Sequence, residues 1–204
     1  MKNTTKNAAN RSEIRADLRR QKIAARETLP PPVHARHSAR IEAHLALLFA
    51  RLKPRVLGFC WPIRGEVDCR ELAARTIAAG GRACLPLVLK PGAAMAFREW
   101  RPDCVMAIDR HGIHYPAAGA ELIPDVLLMP VNAFDAEGFR LGYGGGYFDR
   151  TLAALKPPPL AIGVGFELAR VASTHPGSHD IALDAVVTEA GLERFSDRIG
   201  GPDD

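Results

Sequence analysis

A chain of 204 residues, 47% hydrophobic and 25% charged with a net charge of +4, has the make-up of an ordinary water-soluble domain with one core. Apolar runs such as Leu45 to Ala50 are too short to cross a bilayer, no signal-peptide core follows the N-terminus, and four scattered cysteines form no Cys-x-x-Cys pair. A cytoplasmic protein with reduced thiols and no membrane partner is expected.

Residues 1–10 are polar and are expected to be a disordered lead-in. Ser12 is placed to cap a helix that runs to about Thr28 and ends at Pro30, Pro31 and Pro32. Much of the positive charge lies here, where Lys2, Lys6, Arg11, Arg15, Arg19, Arg20, Lys22 and Arg26 meet only Glu13 and Asp17. Arg15, Arg19, Lys22 and Arg26 share one helix face, either a solvated stripe or a surface for an anion. No aromatics interleave them, so no nucleic acid is expected as partner.

A second helical pattern covers Val33 to Leu52, with Ile41, Leu45, Leu48 and Leu52 inward and His34, His37 and His44 read as surface residues. Arg55 to Trp61 reads as a strand, Asp68 to Ala79 as a helix capped by Asp68, and Arg82 to Leu89 as a strand. Together they make a βαβ unit. The link WPIRGEVD sits at a strand's carboxyl end, where open α/β sheets bind ligands. Glu66 there is either a binding carboxylate or a solvated charge at a helix start. Ala94 to Trp100 and Val105 to Ile108 read as shorter strands, with Gly112, Pro116 and Gly119 marking turns and His111 and His114 as turn histidines.

The densest stretch is DVLLMPVNAFDAEGFRLGYGGGYFDR, from Asp125 to Arg150. A buried strand over Asp125 to Val131 and a short helix continuing from Tyr147 to Leu155 enclose Gly142, Gly144, Gly145 and Gly146. These glycines permit positive φ and close approach of a ligand to the backbone, and the helix start offers free N–H groups, as in phosphate sites. Arg140 and Arg150 can fork onto phosphate, Tyr143, Tyr147 and Phe148 can face a flat ring, and Asp149 can hold magnesium; the alternative is a connecting surface loop. The stretch matches neither the Rossmann fingerprint nor the P-loop. Beyond it, Leu160 to Phe166 reads as a buried strand. His175 and His179 are separated by helix-breaking Pro176 and Gly177, which leaves Asp180 and Asp184 as the better metal candidates.

The segment FDAEGFRLGYGGGYFDR closely resembles the signature of the 5-formyltetrahydrofolate cyclo-ligases, also called 5,10-methenyltetrahydrofolate synthetases. The resemblance runs from about Arg15 to Glu189. It implies a single three-layer α/β domain over 11–195 with a polar tail at 196–204, a mainly parallel central sheet flanked by helices, similar to the sugar-phosphate isomerase and coenzyme A transferase fold. It also implies a monomer that uses ATP and Mg2+ to close 5-formyltetrahydrofolate into 5,10-methenyltetrahydrofolate. By matching motifs, ATP falls to Arg15, Arg19 and Arg140, Leu141, Gly142, Tyr143, Gly144, Gly145, Gly146, Tyr147 and Phe148. Folate falls to Trp61, Glu66, Tyr143, Gly144, Gly145, Gly146 and Tyr147. Magnesium falls to Asp149 and Asp180, and catalysis to Arg19, Arg150 and Tyr147. Arg15 replaces the commoner lysine, Cys69 the commoner threonine and Ala169 the commoner glutamine. The alternative is a non-catalytic α/β module that binds a phosphorylated metabolite.

Overall fold

The structure, a computed structural model, describes residues 2–110 and 112–200; His111 falls outside them. Two helices come first, α1 (Lys2–Glu27) and α2 (Pro31–Leu52). The expected lead-in does not stand apart: α1 runs from Lys2, because no glycine or proline interrupts the chain before Pro30. Ser12 is therefore an interior residue rather than a cap. Pro31 and Pro32 occupy the first turn of α2, where a missing N–H costs nothing.

The βαβ unit follows as β1 (Val56–Gly58), α3 (Arg70–Ala78) and β2 (Arg82–Leu87), with β1 parallel to β2. The residue capping α3 is Cys69 rather than Asp68, whose Oδ1 instead accepts the Arg70 N–H at 3.0 Å. Next come β3 (Ala96–Trp100), β4 (Met106–Ile108) and β5 (His114–Pro116). Pro116 is not in a turn but closes the β4–β5 pair, an edge position that tolerates proline. Then β6 (Val126–Pro130), the small hairpin β7 (Ala133–Phe134) and β8 (Arg140–Leu141), α4 (Tyr147–Ala154), β9 (Leu160–Val164), β10 (Ala185–Thr188) and β11 (Gly191–Arg194) complete the described residues' main elements.

Among the described residues the central sheet has the strand order β11-β10-β9-β6-β1-β2-β3. The pairs from β10 through β2 are parallel, while β11 and β3 add antiparallel edges. Side-chain alternation with period two makes two cores from one sheet. Val126 and Leu128 of β6, Ile162 and Val164 of β9, and Ala185 and Val187 of β10 join a core with Ile41, Leu45 and Leu72 of α2 and α3. Leu127, Met129, Ala161 and Val186 point the other way and meet Leu152 of α4 and Phe134. Helices thus cover both faces, and the layers number three, as expected for a mainly parallel sheet.

Of the expected polar tail at 196–204, residues 201–204 lie outside the described residues and 196–200 pack on the domain. Ile199 is buried, and Arg198 donates to Asp184 at 2.9 Å. His34 and His37 are also not simply surface residues, since both rings pack on Phe166, at 4.9 and 6.3 Å between centroids. No helix among the described residues is long and apolar enough to cross a membrane.

Candidate active site

The parallel strands deliver their loops to one edge of the sheet. After β1, Trp61 stacks on the His114 ring of β5 at 4.8 Å, with the Arg70 guanidinium 4.6 Å from the indole centroid. Five residues on, Glu66 turns inward, and its Oε2 accepts the Ile63 N–H at 3.0 Å. Glu66 is buried, so it is not the solvated charge that its place near a helix start allowed. Burial pushes its carboxyl above the usual range, although Tyr143, the Ile63 N–H, Arg26 and Arg64 all pull it back.

After β6, the β7–β8 hairpin lifts the glycine-rich loop over the same edge. Buried Asp135 sets its turn, with Oδ1 accepting the N–H groups of Glu137 and Phe139 at 3.2 and 3.0 Å, while Gly138 takes φ 81°. Of the loop glycines, Gly144 (φ 94°) and Gly146 (φ 64°) take left-handed backbone; Gly142 and Gly145 do not. Gly145 is needed for closeness instead, since an added Cβ would stand 2.8 Å from the Tyr147 ring. Gly146 caps α4, whose first turn carries Phe148, Asp149 and Arg150.

Arg150 braces the loop from behind, with Nη2 on the Gly145 carbonyl at 2.6 Å and its guanidinium 4.9 Å from the Tyr147 ring centre. Arg140 is buried and engaged: Nη1 donates to the Ile181 carbonyl at 2.6 Å and Nη2 to Asp149 Oδ1 at 3.0 Å. Leu141 is wholly buried, so its side chain is part of the core. Tyr143 is the loop residue that reaches farthest. Its hydroxyl donates to Glu66 Oε1 at 2.6 Å, and burial followed by the Glu66 charge pushes its pKa up.

Helix α1 lies across this edge, and its basic stripe is not solvated. Arg15 forks onto Asp180 at 2.8 and 3.0 Å, and Arg19 Nε donates to the Gly142 carbonyl at 2.6 Å. Lys22 donates to the Leu168 and Arg170 carbonyls at 2.7 and 2.9 Å. Arg26 Nη1 reaches Asn132 Oδ1 at 2.9 Å, and Nη2 reaches the Tyr143 hydroxyl at 3.0 Å. Burial, and then the Arg15 charge, push the Arg19 guanidinium below its usual value. An anion between the two would relieve both effects.

The two expected metal carboxylates are neighbours: Asp149 Oδ1 accepts the N–H of Ile181, the residue after Asp180, at 3.0 Å. Asp149 Oδ2 takes none of these bonds. Both Asp180 oxygens are taken by Arg15, and Oδ2 also by the Gly177 N–H at 2.6 Å. Burial raises the Asp180 carboxyl, but the Gly177 N–H and Arg15 outweigh it and hold the group below its usual range. No cluster of three or more His, Cys, Asp or Glu stands ready for a metal among the described residues. A pair of carboxylates completed by phosphate oxygens and water suits magnesium. Asp184 serves structure, accepting from the Ala161 N–H at 2.8 Å and from Ser196 Oγ at 2.5 Å.

Ala169 is buried in the core that also holds Phe134, and its methyl offers no polar contact to the site. Burial disfavours the thiolate form of Cys69 and Cys84, pushing both thiols up to about 12. Sequence reasoning placed Arg26 only on the basic face of the first helix, without a role in the site, and did not single out Asn132. Arg26 carried a signal, for Ile23 and Leu29 stand three positions either side of it and the buried Ile23 marks that face as inward.

The family profile for 5-formyltetrahydrofolate cyclo-ligases matches residues 7–189. The Escherichia coli K12 5-formyltetrahydrofolate cyclo-ligase is 37% identical over 134 residues, covering 61% of this chain and 72% of its own. That of Haemophilus influenzae Rd is 27% identical over 185 residues, covering 87% and 96%. Among solved structures, the Aquifex aeolicus 5,10-methenyltetrahydrofolate synthetase superposes with a TM-score of 0.78 at 28% identity, over 90% of this chain and 94% of that one. The Mycoplasma pneumoniae 5,10-methenyltetrahydrofolate synthetase shares the fold, with a TM-score of 0.70 at 20% identity over 86% and 98%. With a glycine-rich loop, a buried carboxylate and a basic helix converging on one sheet edge, and with the family profile matched from residue 7 to 189, the chain belongs to the 5-formyltetrahydrofolate cyclo-ligase family.

Proposed function

We propose that the protein couples ATP cleavage to closure of 5-formyltetrahydrofolate into 5,10-methenyltetrahydrofolate. The observation that carries this reading is Tyr143: it stands in the glycine-rich loop and bonds the buried Glu66, which brings the loop suited to phosphate against the carboxylate suited to a heterocycle. The γ-phosphoryl group passes from ATP to the formyl oxygen, breaking the β–γ bridge and releasing ADP. N10 then attacks the formyl carbon and loses its proton, and the carbon–oxygen bond breaks with phosphate as leaving group. Phosphoryl transfer of this kind depends on positioning and charge neutralisation, not on a protein nucleophile.

Arg19, beside the Gly142 carbonyl, and the exposed N–H groups of the loop receive the triphosphate, while Arg150 keeps the loop in shape. Arg15 exchanges Asp180 for phosphate, one charged acceptor for another. Arg140 acts through Asp149, which it orients. Asp149 and the released Asp180 would hold Mg2+, which supplies neutralisation of the phosphate charge. Glu66 accepts from the donors of the pterin edge, and Trp61, Tyr143 and Tyr147 supply aromatic area.

The test is the absorbance of methenyltetrahydrofolate on mixing protein, MgATP and 5-formyltetrahydrofolate. A rise that requires nucleotide and metal is expected; its absence with folded protein sinks the reading. Arg19→Ala is expected to raise KM for ATP by roughly tenfold or more while KM for the folate changes less than about threefold. An unchanged ATP dependence would remove Arg19 from the phosphate site.

A further inference from the structure

Arg26 has no part in the scheme above, yet its guanidinium is among the most heavily engaged groups in the cleft. It is 5% exposed, and it joins three segments far apart in sequence. Nε donates to the Arg64 carbonyl at 2.9 Å, Nη1 to Asn132 Oδ1 at 2.9 Å, and Nη2 to the Tyr143 hydroxyl at 3.0 Å, with Glu66 Oε1 at 3.7 Å.

A guanidinium can only donate. The Tyr143 oxygen must therefore accept from Arg26, which leaves its single proton for Glu66 Oε1, where a 2.6 Å bond is found. The Asn132 amide must likewise present Oδ1, because the reversed amide would set donor against donor. Its Nδ2 is then a buried donor with no hydrogen-bond partner among the described residues. An unmet buried donor is uncommon in a native fold and calls for an acceptor from outside the protein, a ligand or a water.

We propose that Arg26 is a positioning residue for the heterocycle subsite, fixing the hydrogen-bond polarity of Tyr143, Glu66 and Asn132 so that the substrate meets one carboxylate acceptor and one amide donor. The proposal rests on the folate reading for the identity of that substrate. A ring edge carrying an amino group, a ring N–H and a carbonyl offers the complementary pattern. Charge works in the same direction. Glu66 is faced by Arg26 from α1, by Tyr143 from the glycine-rich loop, and by Arg64, Cys60 and Cys69 on its own segment, while His34 of α2 contacts the Gly65 carbonyl. Burial already raises the Glu66 carboxyl, and removing the Arg26 cation raises it further.

The test uses the full chain with Arg26→Gln, which is neutral, and Arg26→Lys, which keeps the charge but lacks the planar fork. In either variant KM for 5-formyltetrahydrofolate is expected to rise by roughly tenfold or more, with kcat and KM for ATP within about threefold of the parent. In Arg26→Gln the acidic limb of kcat/KM for the folate moves up by about half a pH unit or more. Carbon-13 NMR titration of the Glu66 carboxyl, identified by its loss in Glu66→Gln, needs no substrate. Its midpoint is expected to be higher in Arg26→Gln than in the parent. Absence of turnover in the parent protein would sink the folate reading and leave the NMR result to decide the role of Arg26. Equal midpoints, or KM values for folate and ATP that rise together, overturn the proposal. If Arg26→Gln does not fold, the ratio of the two KM values in Arg26→Lys decides.

Discussion

Asp149→Asn is expected to lower kcat by roughly a thousandfold, with the protein still folded. Asparagine keeps an oxygen for the two groups that hold Asp149 Oδ1, the Arg140 guanidinium and the Ile181 N–H, each at 3.0 Å. What it loses is the negative charge at Oδ2, which takes neither of these bonds and in the proposed reaction faces the metal. Alanine is a poorer probe. It leaves buried Arg140 without its carboxylate; breaking a wholly buried pair costs about 3–5 kcal/mol, and the half-buried Asp149 brings that toward about 3 kcal/mol. At about 2–4 °C per kcal/mol for a chain of this size, Asp149→Ala is expected to melt about 6 °C or more below the parent, mixing loss of fold with loss of chemistry. Turnover across a magnesium series, beside a thermal melt, separates the two. Near-normal kcat for Asp149→Asn at saturating magnesium would take Asp149 out of the metal site.

Glu66→Gln is expected to weaken folate use by roughly ten- to a hundredfold in kcat/KM, since a hydrogen bond to a charged group contributes about 1.5–3 kcal/mol. KM for ATP should stay near its parent value. Tyr143 can still donate to the amide oxygen, but the amide nitrogen then faces the Ile63 N–H, so one backbone donor loses its acceptor. The pH dependence has a definite sign. The folded Glu66 carboxyl sits above its ordinary value of about 4.5, mainly through burial, so its ionisation opposes folding. That cost is absent below about pH 4.5 and grows as pH rises through the folded pKa. Between the two values the parent loses stability relative to Glu66→Gln. Melting temperatures of both proteins from pH 4 to 8 would check it; parallel curves would mean that Glu66 is not buried as a charge.

Much of this was legible in the sequence because period-two burial leaves a strong trace. β6 and β9 are buried on both sides and read as continuous apolar runs, and the glycine-rich loop announces itself by its composition. The β11 strand, Gly191–Arg194, was not found, because a polar edge strand has no apolar partner face to betray it. The basic stripe of α1 was visible at its spacing, but a sequence cannot say whether such a stripe meets water or carbonyls. Here it meets carbonyls and carboxylates. Asn132 was invisible for a related reason: its meaning comes from Arg26, 106 residues away, which turns its amide.

The docking of α1 also sets an order of assembly. Arg15, Arg19, Lys22 and Arg26 find partners at Asp180, Gly142, Leu168 and Asn132, so a helix synthesised before all four is among the last elements to be seated. The Arg15–Asp180 contact spans 165 residues. At about 5–20 residues per second of elongation, α1 waits on the order of ten to thirty seconds for that partner. Its stripe is mostly charged, with Ile23 its one fully buried large apolar side chain among the described residues. The waiting helix is therefore soluble by composition, and exposes little that would recruit another nascent chain.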